Sequence, residues 1–294
     1  MFHLTSRMHK VLIIGSTGML GSALIARYGV RQAFGIDHSL VDIADKVELT
    51  AFLKQARPRL IINAAAYNAV DACEESQEEA LRAFSVNGDG VRNLAAYAAR
   101  NDIPFISFSS DYVFDGRKGV YIETDTPKPP NVYGASKLAG ETALQDIARS
   151  HPVWQWYLVR TSKLFGKPGS SPTGKRSFFD KIRESMANAT TVEAIDGETS
   201  CFTYVPDLAE AVLSLERDVA APGIYHLVNE TPVTWYAGAV ALAKLVAPDT
   251  RIVPVSPEHF SRPAPRPASS VLMNTKRPVL RPYTEALHAF VREI

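Results

Sequence analysis

The sequence predicts an α/β fold, a doubly wound parallel sheet with a smaller C-terminal lobe. Short, continuously apolar runs recur, such as Val11-Leu12-Ile13-Ile14 and Leu60-Ile61-Ile62, which suits parallel strands buried on both faces. Helical patterns fall between these runs, as crossovers between parallel strands require. Beyond Arg160 the alternation loosens, which sets off a second lobe.

The 294 residues can bury a substantial core, as one large domain or two moderate ones. With 32 basic against 31 acidic side chains, no whole-protein field draws the chain to nucleic acid or an anionic membrane, and neither is an expected partner. The two cysteines, Cys73 and Cys201, make neither a ligand cluster nor a framework of bridges, which fits a reducing compartment, the cytoplasm. No metal is expected, because no His, Cys and carboxylate cluster shows ligand spacing. No uninterrupted apolar run reaches the roughly 18 residues that span a bilayer. Met1 to Lys10 lacks the long apolar core of a secretory signal and reads as a loose tail, with Met8 an alternative start.

The first strand, Val11 to Ile14, runs into Gly15-Ser16-Thr17-Gly18-Met19-Leu20-Gly21 and then into the helical pattern Ala23 to Tyr28. Strand, glycine turn and helix together suit a pyrophosphate approaching the backbone at the positive end of a helix. Gly15, Thr17, Gly18, Met19 and Leu20 are therefore candidate dinucleotide contacts, although close packing alone would also explain the glycines. A second strand, near Ala33 to Ile36, ends at Asp37, where an acidic side chain meets the adenosine ribose hydroxyls. His38 follows, with no adjacent Arg or Lys for a 2′-phosphate, so the reading leans towards NADH over NADPH. Asp42 and Ile43 come next as further candidates, with Asp42 equally suited to capping or turning the chain before the amphipathic helix Asp45 to Ala56.

The strand Leu60 to Ile62 stops at Asn63-Ala64-Ala65-Ala66-Tyr67. Three alanines leave room for a flat ligand against the backbone, which makes Ala64, Ala65, Ala66 and Tyr67 candidates; simple tight packing is the alternative. A mostly helical stretch from Ser76 to Asn101 is interrupted around Asn87-Gly88-Asp89-Gly90. An amide inside a helix competes for backbone hydrogen bonds, so Asn87 is expected to stabilise a kink or hold water beneath a site.

Ile103 to Phe108 is another buried strand, ending in Ser109-Ser110-Asp111. In doubly wound sheets ligands lie beyond the carboxyl ends of strands. Ser110 is placed to donate a hydrogen bond to a carbonyl oxygen, with turn capping as the alternative. After Pro127 to Pro130 comes Tyr133-Gly134-Ala135-Ser136-Lys137 at a helix start. Residues four apart share a helix face, which places a phenol beside an ammonium. A nearby cation stabilises phenolate, so Lys137 is expected to lower the proton affinity of Tyr133 towards the working pH. A tyrosine so tuned exchanges a proton with a substrate oxygen.

Trp154 to Arg160 reads as the last regular strand. Helices are expected over Phe178 to Met186, Asp207 to Glu216, Trp235 to Val246 and Thr284 to Ile294, and strands over Thr191 to Ile195 and Ile224 to Val228. Arg262-Pro263-Ala264-Pro265-Arg266-Pro267 is a rigid loop with two cations, read as a solvated surface loop or, alternatively, as a diphosphate clamp.

In this order, the glycine turn, the alanine-rich strand end, the serine strand end and Tyr-x-x-x-Lys resemble an extended short-chain dehydrogenase/reductase. Finer matches resemble the dTDP-4-dehydrorhamnose reductase family. These are Ile62 to Tyr67 with Ala69-Val70-Asp71, Ser110 to Gly116, Tyr133 to Glu141, Arg160-Thr161-Ser162, Gly223 to Leu227 and Arg266-Pro267. The resemblance implies a Rossmann-type dinucleotide-binding domain over 8–160, receiving part of 203–229, and a mainly substrate-binding lobe over 161–294. It implies reduction of a 4-keto group on a nucleotide-linked deoxysugar by NADH or NADPH. Tyr133 then protonates the oxygen, Lys137 holds the nicotinamide ribose, Ser110 orients the carbonyl, and Ser109 and Asn87 border the cofactor. Asp111, Val70, Lys163 and Arg266 fall among the substrate contacts, and a homodimer stays open.

Two departures bear on the substrate. Relatives place a sugar-packing Trp after Arg160-Thr161-Ser162, where this chain has Lys163, a flexible cation in place of a flat apolar platform. Their Asp-Gln-x-Gly-x-Pro-Thr segment is matched only loosely by Asp196 to Thr203. The 4,6-dehydratases carry Asp-Glu after the active-site hydroxyl for elimination, whereas Asp111 is followed by Tyr112. The remaining rivals are a non-catalytic regulatory subunit resembling the methionine adenosyltransferase β subunit, and a nucleotide-sugar epimerase.

Overall fold

The computed structural model describes residues 10–171 and 174–294. The expected tail and the alternative start at Met8 fall outside the described residues. The first half alternates as β1 (Val11–Ile14), α1 (Met19–Tyr28), β2 (Ala33–Ile36), α2 (Lys46–Ala56) and β3 (Leu60–Asn63). Next come α3 (Ala72–Glu75), α4 (Gln77–Phe84), a π-helical turn over Ser85–Gly90, α5 (Val91–Arg100) and β4 (Phe105–Ser110). A short β5 (Gly119–Tyr121) precedes α6 (Val132–Arg149) and β6 (Trp156–Thr161).

The second half is built of smaller pieces: β7 (Leu164–Phe165), α7 (Phe178–Asn188), β8 (Thr191–Ile195), β9 (Thr199–Ser200), β10 (Thr203–Tyr204) and α8 (Val205–Arg217). They continue with β11 (Gly223–His226), β12 (Asn229–Glu230), β13 (Val233–Thr234), α9 (Trp235–Val246) and β14 (Arg251–Val255). The chain closes with β15 (Ser270–Leu272), β16 (Leu280–Pro282) and α10 (Tyr283–Val291).

Six strands form one parallel sheet in the order β11-β6-β4-β3-β1-β2. The winding direction reverses between β1 and β3, and that switch point is where an open α/β sheet leaves a crevice for ligands. Apolar side chains cover both faces of the sheet. Val11, Ile13, Ile62 and Val159 pack under α1 and α8, while Leu12, Ile14, Ile61 and Phe105 pack with Leu94 and Leu144 of α5 and α6. A separate aromatic core, with Phe165, Phe179, Phe202, Tyr204 and Phe290, holds α7, α9 and α10 together.

Local signals place the helix starts. Asp45 caps α2 by accepting hydrogen bonds from the Val47 and Glu48 amides, and Asn131 caps α6 through the Gly134 amide at 2.7 Å. Ser177 and Asp180 form a reciprocal capping box on α7. Asp42 does not cap α2. It accepts from the Ala44 amide at 2.9 Å and so turns the chain instead.

Candidate active site

The glycine turn lies at the switch point. Gly15 has φ +75°, and a Cβ there would stand 2.6 Å from the Ala65 nitrogen and 2.8 Å from the Ala64 carbonyl carbon. The alanine-rich end of β3 therefore presses on the turn, and only glycine satisfies both the backbone angle and the contact. A Cβ at Gly21 would run into the Gly15 carbonyl oxygen. The N-terminus of α1 has no side-chain cap and no acidic residue in its first turn, so no side chain competes with an anion for its positive end. Asp37, at the end of β2, lies below its usual carboxylate range, chiefly through the Ser39 hydroxyl and with a further hydrogen bond from Thr17. Ser109 Oγ and Thr161 Oγ1, near the ends of β4 and β6, are buried without hydrogen-bond partners among the described residues. An uncapped helix start, an ionised carboxylate one strand away and orphaned strand-end hydroxyls fit a dinucleotide.

Not every predicted contact offers a side chain. Leu20 and Ile43 are buried in the core, so only their backbone can face a ligand. Ile43 packs on Gly90, and Met19 lies half-buried against the core beneath the turn. The segment 169–171 crosses the glycine turn, with the Ser171 amide donating to the Thr17 carbonyl at 3.0 Å and Gly169 against Thr17 and Gly18. Nothing in the local sequence pattern signals that contact.

Asn87 lies in the π-helical turn and its amide is fully engaged with protein. Its Oδ1 accepts from the Tyr67 amide at 3.0 Å, and its Nδ2 donates to the Tyr67 carbonyl and to Ser136 Oγ, each at 2.9 Å. Ser136 Oγ donates in turn to the Tyr133 carbonyl at 2.7 Å. The expected kink is the π-helical turn itself, and Asn87 clamps the segment after β3 to α6 directly.

Tyr133 and Lys137 occupy one face of α6, both buried, and Glu141 continues that face one turn on. Tyr133 packs with Tyr67, Val70 and Tyr112, and the Tyr112 ring meets it edge-on with centroids 6.1 Å apart. The phenol does not titrate as the spacing suggested. Burial pushes it well above its ordinary value, a hydrogen bond with Ser110 opposes this, and Asp111, Tyr112 and Cys73 raise it further. Burial likewise pulls Lys137 down to about 8, partly offset by Glu141. Desolvation penalises the charged form of both groups and outweighs the attraction expected between them.

Asp111 is a buried hub and does not face open space. Ser110 Oγ donates to its Oδ1 at 3.0 Å, while Ser162 Oγ and Ser270 Oγ donate to its Oδ2 at 2.8 and 2.6 Å. The Lys163 ammonium stands 3.9 Å from the same oxygen. Lys163 is likewise held rather than flexible. Its ammonium lies 4.4 Å from the Trp235 ring centroid and 5.3 Å from that of Tyr112, and its side chain is 8% exposed. Two aromatic faces and a carboxylate seat the cation, which explains its loss of freedom. Trp235, a distant residue with no motif around it, brings an aromatic ring to this region from α9.

The arginine loop lies at the surface, with Pro263 and Pro265 exposed, but both of its cations are tied to carboxylates. Arg266 binds Asp71 through two nitrogens at 2.5 and 2.7 Å and the Ala264 carbonyl at 2.6 Å, and Arg262 pairs with Glu198. Beneath the site Arg160 and Glu141 form a buried, two-pronged ion pair at 3.0 and 2.7 Å.

A parallel sheet with a glycine turn at its switch point, beside a serine strand end and a Tyr-x-x-x-Lys helix, defines a Rossmann-type oxidoreductase of the short-chain dehydrogenase/reductase class. The chain belongs to the family described as RmlD substrate binding domain, which matches residues 8–294. It is 33% identical to a dTDP-4-dehydrorhamnose reductase of Burkholderia thailandensis, over 90% of each chain. It is 30% identical to the spore coat polysaccharide biosynthesis protein SpsK of Bacillus subtilis, over 97% of this chain and 98% of that one. Among solved structures, a dTDP-4-dehydrorhamnose reductase of Bacillus anthracis in complex with NADP superposes with a TM-score of 0.87, at 28% identity over 98% of this chain and 100% of that one.

Proposed function

We propose that this chain reduces the 4-keto group of a nucleotide-linked deoxysugar with a nicotinamide cofactor; relatives are named dTDP-4-dehydrorhamnose reductase and dTDP-4-keto-6-deoxy-D-glucose reductase, and the similar Bacillus anthracis structure is a complex with NADP. The observation that carries this reading is the hydrogen bond between Tyr133 and Ser110, with Lys137 on the same face of α6, at the carboxyl end of the sheet that also carries the glycine turn. When bound, a reduced nicotinamide would supply the hydride that the carbonyl carbon receives. Ser110, turning its one hydroxyl proton from Asp111 to the substrate, orients the carbonyl oxygen, and Tyr133 donates its proton to that oxygen as negative charge develops there. A phenol held above its ordinary value stays protonated until an alkoxide, a much stronger base than phenolate, forms beside it. Lys137 stays charged below about pH 8 and holds the ribose hydroxyls. Gly15, Thr17, Gly18 and the backbone of Met19 and Leu20 take the pyrophosphate, Asp37 the adenosine ribose, and Ala64 to Tyr67 and Ser109 the middle of the dinucleotide. Asn87 and Asp111 act through other residues: Asn87 fixes Tyr67, and Asp111 fixes Ser110 and Lys163.

The division into 8–160 with part of 203–229, against 161–294, belongs to the same proposal. Packing of α8 on α1 and pairing of β11 with β6 support it. A cytoplasmic setting is supported by the free thiols of Cys73 and Cys201. Among the described residues no helix is long and apolar enough to cross a membrane.

The test follows oxidation of NADH and NADPH with a dTDP-4-keto-6-deoxysugar, comparing wild type with Tyr133→Phe. Loss of the hydroxyl removes proton transfer, so turnover should fall about 100-fold or more while cofactor binding persists. Undiminished turnover in the variant would remove Tyr133 as the acid. No turnover by either protein, with cofactor bound, would direct the test to other sugar nucleotides first and to the regulatory-subunit alternative next.

A further inference from the structure

Lys163 stands between β6 and β7 on backbone held at φ +39°, a region that favours glycine. The Thr203 amide fastens that backbone by donating to the Lys163 carbonyl oxygen at 3.2 Å. The side chain has a fixed seat. Its ammonium lies 4.4 Å from the Trp235 ring centroid and 5.3 Å from that of Tyr112, and Trp235 is itself held by its indole N–H, which donates to Glu198 at 3.1 Å. The ammonium stands 3.9 Å from Asp111 Oδ2, with the two side chains 8% and 4% exposed. A cation this enclosed acts on what already surrounds it.

Asp111 is joined in turn to the reacting groups. Ser110 Oγ, which donates to its Oδ1 at 3.0 Å, also accepts from the Tyr112 amide at 3.2 Å and is hydrogen-bonded to Tyr133. Reduction of a ketone makes two demands on this arrangement. The Ser110 proton must leave Asp111 for the carbonyl oxygen, and negative charge then grows beside Tyr133, near a carboxylate that opposes it. Ser162 and Ser270 keep Asp111 Oδ2 bonded throughout, but neither carries charge. Among the described residues Lys163 is the one cation within ion-pair distance of Asp111. We propose that Lys163 is a positioning residue for the reduction: by meeting the charge of Asp111 it lets Ser110 turn its proton to the substrate carbonyl, and it keeps the carboxylate from opposing the negative charge that develops there. The proposal rests on the ketoreductase reading above. It moves Lys163 from contact with the sugar, the role expected from its place in the sequence, to control of the carboxylate that governs Ser110.

The experiment measures kcat and KM for a dTDP-4-keto-6-deoxysugar, with NADPH affinity alongside, in wild type, Lys163→Met, Lys163→Arg, Asp111→Asn and the variant combining Asp111→Asn with Lys163→Met. In Lys163→Met, kcat should fall about 10-fold while KM and NADPH affinity are kept, the signature of an interaction that counts only as charge develops. Lys163→Arg, which brings a cation to the same aromatic seat, should regain most of that loss. In the Asp111→Asn background, with no charge left to meet, Lys163→Met should cost less than about twofold. A wild-type kcat in Lys163→Met overturns the proposal, as does the same loss persisting in the Asp111→Asn background. A raised KM at unchanged kcat also overturns it and returns Lys163 to the substrate contacts. Should Asp111→Asn not fold, Lys163→Arg decides, and a kcat as low as in Lys163→Met overturns the proposal. All these outcomes, with reduction by wild type, leave the reductase reading intact; no reduction by wild type of any ketosugar nucleotide overturns that reading and this inference with it.

Discussion

Glu141 offers a single change with two separable readouts. Its side chain is 0% exposed and that of Arg160 is 1% exposed, and they share two hydrogen bonds at 3.0 and 2.7 Å. Glu141→Gln keeps the shape but leaves the guanidinium buried without its counter-charge. Breaking such a pair costs about 3–5 kcal/mol. Arg160 retains a bond to the Glu123 carbonyl at 3.4 Å and stacks 5.0 Å from the Phe114 ring centroid, which favours the lower end of that range. Glu141 also raises Lys137, whose pKa burial has pulled down to about 8. Without the carboxylate, Lys137 loses its proton at lower pH. The descending limb of the pH profile for kcat/KM should therefore move below about pH 8, since that limb reports groups of the free enzyme. Urea denaturation at fixed pH measures the first effect and a pH–rate series the second. A stability loss under about 1 kcal/mol would refute the buried-pair argument. A limb that stays put or moves up would refute the link from Glu141 to Lys137.

Two more changes test other parts of the molecule. Gly15→Ala places a Cβ against the Ala64–Ala65 backbone at a φ of +75°, so the turn must shift. The strain is about 1–2 kcal/mol and cofactor affinity should drop tenfold or more, as read by nicotinamide fluorescence titration; wild-type affinity would sink the cradle. Acid should destabilise the fold through His226 and Glu123. Burial and then Arg160 hold the imidazole well below its ordinary value; burial pushes Glu123 up, but hydrogen bonds from Thr275 and its own backbone, with His226, together hold it below its own ordinary value. Both groups take up protons more readily in the unfolded chain, so stability is lost as pH falls, first through His226 below about 6.5 and then through Glu123. One suppressed protonation costs about 2 kcal/mol by about pH 5, and equal urea midpoints at pH 7 and pH 5 would contradict it.

Much of the architecture is legible because its signals are local. Val11–Ile14, Thr191–Ile195 and Trp235–Val246 begin and end where apolar runs and helical spacing place them. The shared face of Tyr133 and Lys137 follows from four-residue spacing alone. Two-residue strands such as β9 and β13 carry no periodicity, and β14, with Pro254 in it, pairs with β8 across the whole of α8 and α9. Their existence depends on partners far away in sequence. The same limit applies to the site. Spacing puts a cation beside Tyr133, but it does not measure the desolvation that overrides it.

The sequence by itself determined the strand–helix alternation, the glycine turn and the Tyr-x-x-x-Lys face, because each depends on residues within a turn or two of one another. Only the tertiary structure decided that Asp111 is a buried hub, that Lys163 is wedged between Trp235 and Tyr112, and that Asp71 takes up Arg266. Those outcomes are competitions among charges and rings for a few partners in space. Which partner wins depends on distance and burial after folding, and neither is encoded in the spacing along the chain.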